Sequence, residues 1–287
     1  MTIGVLGPGA VGGVLAAGYL KAGVDVVCVA RPATAAVIRS NGLTLRQGQN
    51  VTTVWPTVET ELREPVELLL VTVKAPALGE ALERIETAPQ TAVPLLNGIE
   101  HMDTLRERLP ETKVAGASIG RIEAWLEGPG VVIQPTPSVV MTVAEDAPVE
   151  LLRQSGVEVR VNGSANDVLW EKLARQAATA AVTSITQRPV GELRSDPEWR
   201  GRFRTAVDEA CAVAAADGVA LSADAEWDII EAMPPLLTSS TARDIAAGIP
   251  SELDAITGAA VRAGQRLGVE TPVLSQMFDE ACRASSR

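Results

Sequence analysis

The 287-residue chain has little aromatic side chain, little histidine and little cysteine. Phe, Trp and Tyr make up 3% of it, so a core has to be assembled from Val, Leu, Ile and Ala. One histidine, His101, stands in the whole sequence. A serine-type triad, a histidine-rich metal site or a histidine acid–base catalyst is therefore hard to build anywhere except around that residue. The three cysteines, Cys28, Cys211 and Cys282, are far apart, odd in number and form no CxxC, which supports neither a disulfide framework nor a zinc site. A basic excess is also lacking. The net charge is -11, and phosphate binding needs a basic stripe that is not visible, so nucleic acid is not an expected partner.

What is present is globular: 46% hydrophobic and 21% charged residues, in a length that suits one large domain or two ordinary ones. Residues 2–20 carry no charge and imitate a signal peptide or a membrane span. No Lys or Arg precedes the apolar run, and Gly or Pro at positions 4, 7, 8, 9, 12, 13 and 18 would serve a spanning helix poorly. No membrane partner is expected, and the chain is read as cytoplasmic.

The glycines fit another purpose. Residues 3–6 form a short apolar run, followed by Gly7-Pro8-Gly9-Ala10-Val11-Gly12 and then by the helical VLAAGYLKAG. Residues 24–30 read as a second buried strand. Between a strand and a helix, GxGxxG is a dinucleotide-binding signature. Gly7 permits the tight turn, Gly9 leaves room for a pyrophosphate, and Gly12 lets helix pack on strand. The helix N-terminus offers N–H groups and a positive dipole end to the phosphates. A turn without a ligand is the bland alternative. An NAD-binding chain usually places Asp or Glu at the end of the second strand, about 20 residues past the glycines, for the ribose hydroxyls. Here that place holds Arg31, whose guanidinium suits a 2′-phosphate, so NADP is the expected cofactor.

Strand signals recur at residues 43–45, 51–54, 66–73 and 91–96, with helical segments between the later ones, as in a βαβ series with a parallel sheet. In such sheets ligands sit beyond the carboxyl ends of strands, where Lys74 follows LLLVTV and Asn97-Gly98 follows VPLL. Each alone reads equally well as a solvated lysine or a plain turn. Residues 131–162 are again β-like, and beyond Asn162-Gly163-Ser164 strand runs all but vanish. The predicted organisation is α/β: a Rossmann-type dinucleotide-binding domain over residues 1–165 and an all-helical domain over 166–287.

The segment VLWEKLARQAATAA, residues 168–181, predicts a helix. At about 100° per residue, Leu169, Leu173, Ala177 and Ala180 share one face, with Lys172, Gln176 and Thr179 along its flank. Glu171 and Arg175 read as an i,i+4 pair facing solvent. Lys172 either snorkels to water along its stem or aims its ammonium into a cleft, and the pattern leaves both open.

Taken in order, GPGAVGG, Arg31, Lys74, Asn97-Gly98, LWEKL with Lys172, and SSTARDIAAGIPSELD over residues 239–254 resemble the ketopantoate reductase family, which reduces 2-dehydropantoate to pantoate with NADPH. The resemblance implies a Rossmann domain followed by a helical domain, with the active site in the cleft between them. It implies that Lys172 is catalytic, polarising or protonating the C2 carbonyl as hydride arrives, and that Glu252 interacts with the reacting oxygen or the lysine region. By the same resemblance Ser240 helps hold the substrate carboxylate, and Lys74 and Asn97 line the nicotinamide and substrate end. Read without it, Ser251-Glu252 begins a helix after Pro250.

Two positions depart from the family pattern, which carries Asn four and eight residues after its lysine to contact the substrate. Here they are Gln176 and Ala180. Gln keeps an amide on a longer arm; Ala180 offers no hydrogen bond, and an unpaired substrate hydroxyl costs about 1–3 kcal/mol. A different 2-oxo acid is therefore an alternative substrate. Other rival readings are an opine- or hydroxyacid-type dehydrogenase using His101, which reads instead as a surface or capping residue at a helix start, and a non-catalytic NADP sensor. No metal is expected. The sequence does not fix the oligomeric state, and a homodimer is kept open.

Overall fold

The computed structural model describes residues 1–285. The chain forms two compact units, Met1–Leu96 with His101–Val168, and Asn97–Glu100 with everything from Leu169 onward. The excursion of Asn97–Glu100 into the second unit has no counterpart in the sequence pattern.

The first unit opens with β1 (Thr2–Leu6), α1 (Ala10–Lys21), β2 (Asp25–Val29) and α2 (Pro32–Asn41). After β3 (Leu43–Gln47) and β4 (Asn50–Val54) come β5 (Thr57–Glu59), β6 (Leu68–Val71), α3 (Leu78–Leu82), β7 (Thr91–Pro94), α4 (His101–Arg108) and β8 (Lys113–Val114). A six-stranded sheet runs in the order β5-β2-β1-β6-β7-β8 with every pairing parallel. Such a sheet is covered on both faces, so its strands read as unbroken apolar runs. In β6, Leu68 and Leu70 join one buried cluster with Ile3 and Val5, whereas Leu69 and Val71 join another with Leu6 and Val29.

The strand signals at 43–45 and 51–54 do not enter that sheet. β3 and β4 are an antiparallel hairpin, turned at Gly48, whose φ of 60° is glycine's place in a two-residue connection. They belong to a second sheet, β10-β11-β3-β4, with β10 (Trp125–Gly128) and β11 (Val131–Ile133). A third sheet joins β9 (Ala117–Arg121), β12 (Val140–Val143) and β13 (Glu158–Val161) in the order β13-β12-β9, with α5 (Val149–Arg153) before β13.

The second unit is helical: most of α6 (Ala165–Thr186), then α7 (Val190–Ser195), α8 (Pro197–Ala216), α9 (Ala223–Glu231), α10 (Ser240–Ala246), a π-turn at Asp254–Gly258, α11 (Ala259–Leu267) and α12 (Pro272–Ser285). Its core sets Trp170 and Phe203 among small residues such as Ala177, Ala180, Ala181, Ala206 and Ala210, all fully buried. Small side chains let helices come close, which is how a chain with so few aromatics fills its interior. The Trp170 indole N–H donates to Asp217 Oδ2 at 2.7 Å, so its one polar atom is satisfied on burial. Among the described residues no helix is long and apolar enough to cross a membrane.

Candidate active site

In the first unit the signature residues gather at the carboxyl edge of the parallel sheet. β1 ends at Leu6 and the chain turns at Gly7, whose φ is 85°. The Gly7 N–H donates to Val29 O at 3.0 Å, and Thr72 Oγ1 donates to Gly7 O at 2.7 Å and contacts Leu6 O at 3.1 Å. A Cβ at Gly12 would stand 2.3 Å from Thr72 Oγ1 and 2.6 Å from Gly7 O, so only glycine lets α1 seat on the turn. Gly9, the N-cap of α1, differs: a Cβ there would meet nothing nearer than Gly7 O at 3.9 Å. The space beside it is open. Neither a side-chain cap nor an acidic residue occupies the first turn, so the positive end of the helix is left for an anion. Pro8 is buried, with Ala10 and Val11 partly so. β1 lies between β2 and β6, the point where connections leave to opposite sides and a crevice opens. These residues fit the pyrophosphate of a dinucleotide.

Arg31 and Lys74 stand on the same edge. Arg31 is exposed, just past β2, at the N-cap of α2. Lys74 is exposed just past β6, at the N-cap of the 3-10 turn Ala75–Ala77. The stretch Ala30-Arg31-Pro32-Ala33-Thr34 contains no carboxylate.

In the second unit, three polar side chains from sequence-distant segments meet. The Lys172 Nζ donates to Asn97 Oδ1 at 2.7 Å, and Asn97 Nδ2 donates to Glu252 Oε2 at 2.9 Å. The ammonium and the carboxylate thus fix which way the amide faces, one needing an acceptor and the other a donor. Glu252 is buried, at 8% exposure, and Lys172 is partly buried. Desolvation lowers the Lys172 pKa to about 8. The Glu252 carboxylate pulls the other way, and the Arg175 guanidinium adds to the lowering. The Lys172 ammonium is thus hydrogen-bonded within a polar cluster rather than only to water.

Asn97 reaches this cluster because its loop is seated tightly. Gly98 has a φ of 86°, and a Cβ there would stand 2.0 Å from Ala255 O in the π-turn, so the backbone lies directly against that turn. The π-turn in turn is tied to α6 by Thr257 Oγ1, which donates to Ala177 O at 2.9 Å.

Other expected residues are placed differently. Gln176, one turn beyond Lys172, carries a buried Oε1 with no hydrogen-bond partner. Ala180 is fully buried in the helical core. Ser240 is exposed at the first residue of α10, and it is Ser239 that caps the helix, accepting from the Ala242 N–H at 3.0 Å and sharing a 2.7 Å hydrogen bond with Thr183 Oγ1. Two expectations are corrected. Arg175 does not face solvent: it is 19% exposed and bonds the nearly buried Glu226 of α9, because α9 brings a carboxylate against that flank of α6. His101 is buried rather than on the surface. The bridging role of Asn97 carried no sequence signal beyond its place after a strand.

The chain is similar to known proteins along most of its length. Residues 3–145 match the family model described as "Ketopantoate reductase PanE/ApbA", and residues 164–281 match "Ketopantoate reductase PanE/ApbA C terminal". The 2-dehydropantoate 2-reductase of Caulobacter vibrioides is 31% identical over 94% of each chain. A PanE/ApbA family ketopantoate reductase from Ralstonia eutropha JMP134 superposes with a TM-score of 0.87 at 29% identity, covering 100% of this chain and 99% of that one. A D-mandelate dehydrogenase solved with NADH and anilino(oxo)acetate has a TM-score of 0.89 at 21% identity, covering 100% and 98%, which shows a shared fold. With both family models matched in succession along a Rossmann-type unit and a helical unit, the chain belongs to the ketopantoate reductase family of oxidoreductases.

Proposed function

We propose that the protein reduces a small 2-oxo acid with NADPH, and that the acid is 2-dehydropantoate, giving pantoate. The observation that carries this reading is the Lys172–Asn97–Glu252 chain of hydrogen bonds. A bound reduced nicotinamide supplies the hydride. Hydride addition to C2 leaves negative charge on the carbonyl oxygen, and the Lys172 ammonium stabilises that charge and donates its proton to the oxygen. A pKa near 8 leaves the ammonium charged at neutral pH yet ready to yield the proton. Asn97 holds it in place, and the Glu252 carboxylate opposes its loss of charge on burial. Ser240 is assigned to the substrate carboxylate, and Lys74 to the nicotinamide end.

Gly7 to Gly12 hold the pyrophosphate, with Arg31 on the 2′-phosphate. Arg31, exposed on the cofactor edge with no carboxylate in its stretch, supports NADPH over NADH. Gln176 supports a hydroxylated substrate, because its buried Oε1 lacks a donor and a buried acceptor without one is costly. The location we assign is cytoplasmic. A second reading rests on Ala180, which offers no hydrogen bond: a 2-oxo acid with a more apolar substituent, on a fold that also serves a D-mandelate dehydrogenase.

The test is loss of NADPH absorbance with purified protein and 2-dehydropantoate, against a panel of other 2-oxo acids at equal concentration, repeated with NADH. Preference for 2-dehydropantoate with NADPH is expected. Preference for another acid moves the substrate to the second reading. Inactivity across the panel with NADPH bound removes the catalytic reading in favour of a sensor.

A further inference from the structure

We propose that Arg262, with Glu100, is a positioning residue for this reaction: it clamps the Asn97 loop to the π-turn and so fixes the amide between Lys172 and Glu252. The inference rests on the reading of Lys172, Asn97 and Glu252 given above.

The Asn97–Glu100 segment lies, in sequence, between β7 and α4 of the first unit, yet it folds with the second. Asn97 keeps two hydrogen bonds at once, and a loop of ordinary mobility would not hold a two-sided amide in register. Three contacts restrain it. Gly98 sits against Ala255 O, Ile99 packs on the helical core, and Glu100 is gripped by Arg262. That grip is bidentate: Arg262 Nε donates to Glu100 Oε1 and Nη2 to Glu100 Oε2, each at 2.8 Å. The same guanidinium turns its remaining edge to the π-turn, with Nη1 donating to Asp254 Oδ1 at 2.8 Å and Nη2 to Asp254 O at 3.0 Å.

One planar group therefore joins the residue three past Asn97 to the residue two past Glu252. It ties the two ends of the Asn97–Glu252 hydrogen bond through their own backbones. A forked pair fixes orientation as well as distance, which a lysine point charge does not. Arg262 and Glu100 are also 39% and 41% exposed. Water screens charges this exposed, so the clamp is tested by the loop geometry it imposes rather than by its contribution to folding.

The test uses the full chain with Arg262→Gln, Glu100→Gln, Arg262→Lys and the Glu100→Gln/Arg262→Gln double variant. Each single variant is expected to lose kcat by about ten- to a hundredfold, the range for a misplacement of about 1 Å, with NADPH affinity and melting temperature unchanged. The double variant should lose no more than either single one, since both break the same link. Arg262→Lys should fail to restore kcat. A readout free of substrate accompanies these: amide hydrogen exchange in the 97–100 peptide should quicken in the variants while α8 stays as in the wild type. Unchanged kcat, additive losses or unchanged exchange would overturn the proposal. If the wild type turns over no 2-oxo acid, the functional reading fails on its own, and the exchange data still decide whether Arg262 holds the loop.

Discussion

Replacing Lys172 by Met separates what this residue costs the fold from what it gives the chemistry. Its pKa is lowered to about 8 in the folded chain, chiefly by desolvation, against about 10.4 for a free lysine side chain. Each unit is worth about 1.4 kcal/mol, so a charged Lys172 opposes folding by about 3 kcal/mol below pH 8. Between the two values the unfolded chain binds the extra proton and the folded chain does not, so stability from this residue rises with pH. Urea denaturation of wild type and Lys172→Met, at about pH 7 and about pH 10, gives four stabilities. Their double difference isolates the residue from every other titrating group. The wild type should gain about 2–3 kcal/mol relative to the variant over that interval. Parallel pH dependences would refute the argument, since they would mean the ammonium is not desolvated. The activity arm has the opposite sign: as proton donor the lysine must be charged, so kcat/KM for reduction should fall as pH rises through about 8, and Lys172→Met should lose about 10² or more in turnover.

Arg31→Asp should weaken NADPH binding far more than NADH binding; equal loss of both in a titration would show that Arg31 does not read the 2′-phosphate. Gln176→Asn should retain turnover of 2-dehydropantoate, whereas Ala180→Asn, which inserts an amide into a fully buried site, should lower stability by about 1–3 kcal/mol; an Ala180→Asn variant of wild-type stability would mean that position opens to a pocket. Gly98→Ala forces a Cβ to within 2.0 Å of Ala255 O at a left-handed φ, and should abolish most turnover while leaving NADPH binding intact; normal kcat would show the loop is not seated as described. Glu226→Ala leaves Arg175, only 19% exposed, without its carboxylate and should cost about 3 kcal/mol in denaturant unfolding; a loss below about 1 kcal/mol would place that pair among ordinary surface ion pairs.

The parts of the fold legible from sequence were those with a local cause. The GxGxxG turn announces itself because Gly7 and Gly12 answer local demands, a left-handed φ at Gly7 and the Gly7 carbonyl beside Gly12, while Gly9 leaves open space. The LLLV run of β6 reads as a strand buried on both faces because no alternation survives when both faces are covered. The strand signals of β3 and β4 are in the sequence, but their pairing as a hairpin and the sheet they join are not. Apolar content marks a strand, but which sheet it joins depends on partners, and β3 pairs with β11, more than 80 residues away.

The site divides along the same line. Lys172 looked ambiguous because a helix pattern states which flank a side chain occupies and says nothing of what stands opposite. What stands opposite is Asn97, brought by a loop 75 residues earlier, and Glu252, which is a further 155 residues from Asn97. Resemblance supplied the three residues; only the fold supplies the amide bridge between them and its direction. The same reasoning limits what Ala180 can say about substrate. From sequence it is a missing hydrogen bond in a pocket, whereas its complete burial among core alanines makes it equally a packing position. Gln176 Oε1, one turn past Lys172, is a buried acceptor without a donor, so the choice between a hydroxylated and an apolar 2-oxo acid turns on that amide, and the substrate panel with Gln176→Leu beside the wild type decides it: a lost preference for 2-dehydropantoate supports the hydroxylated acid, and an unchanged preference the apolar one.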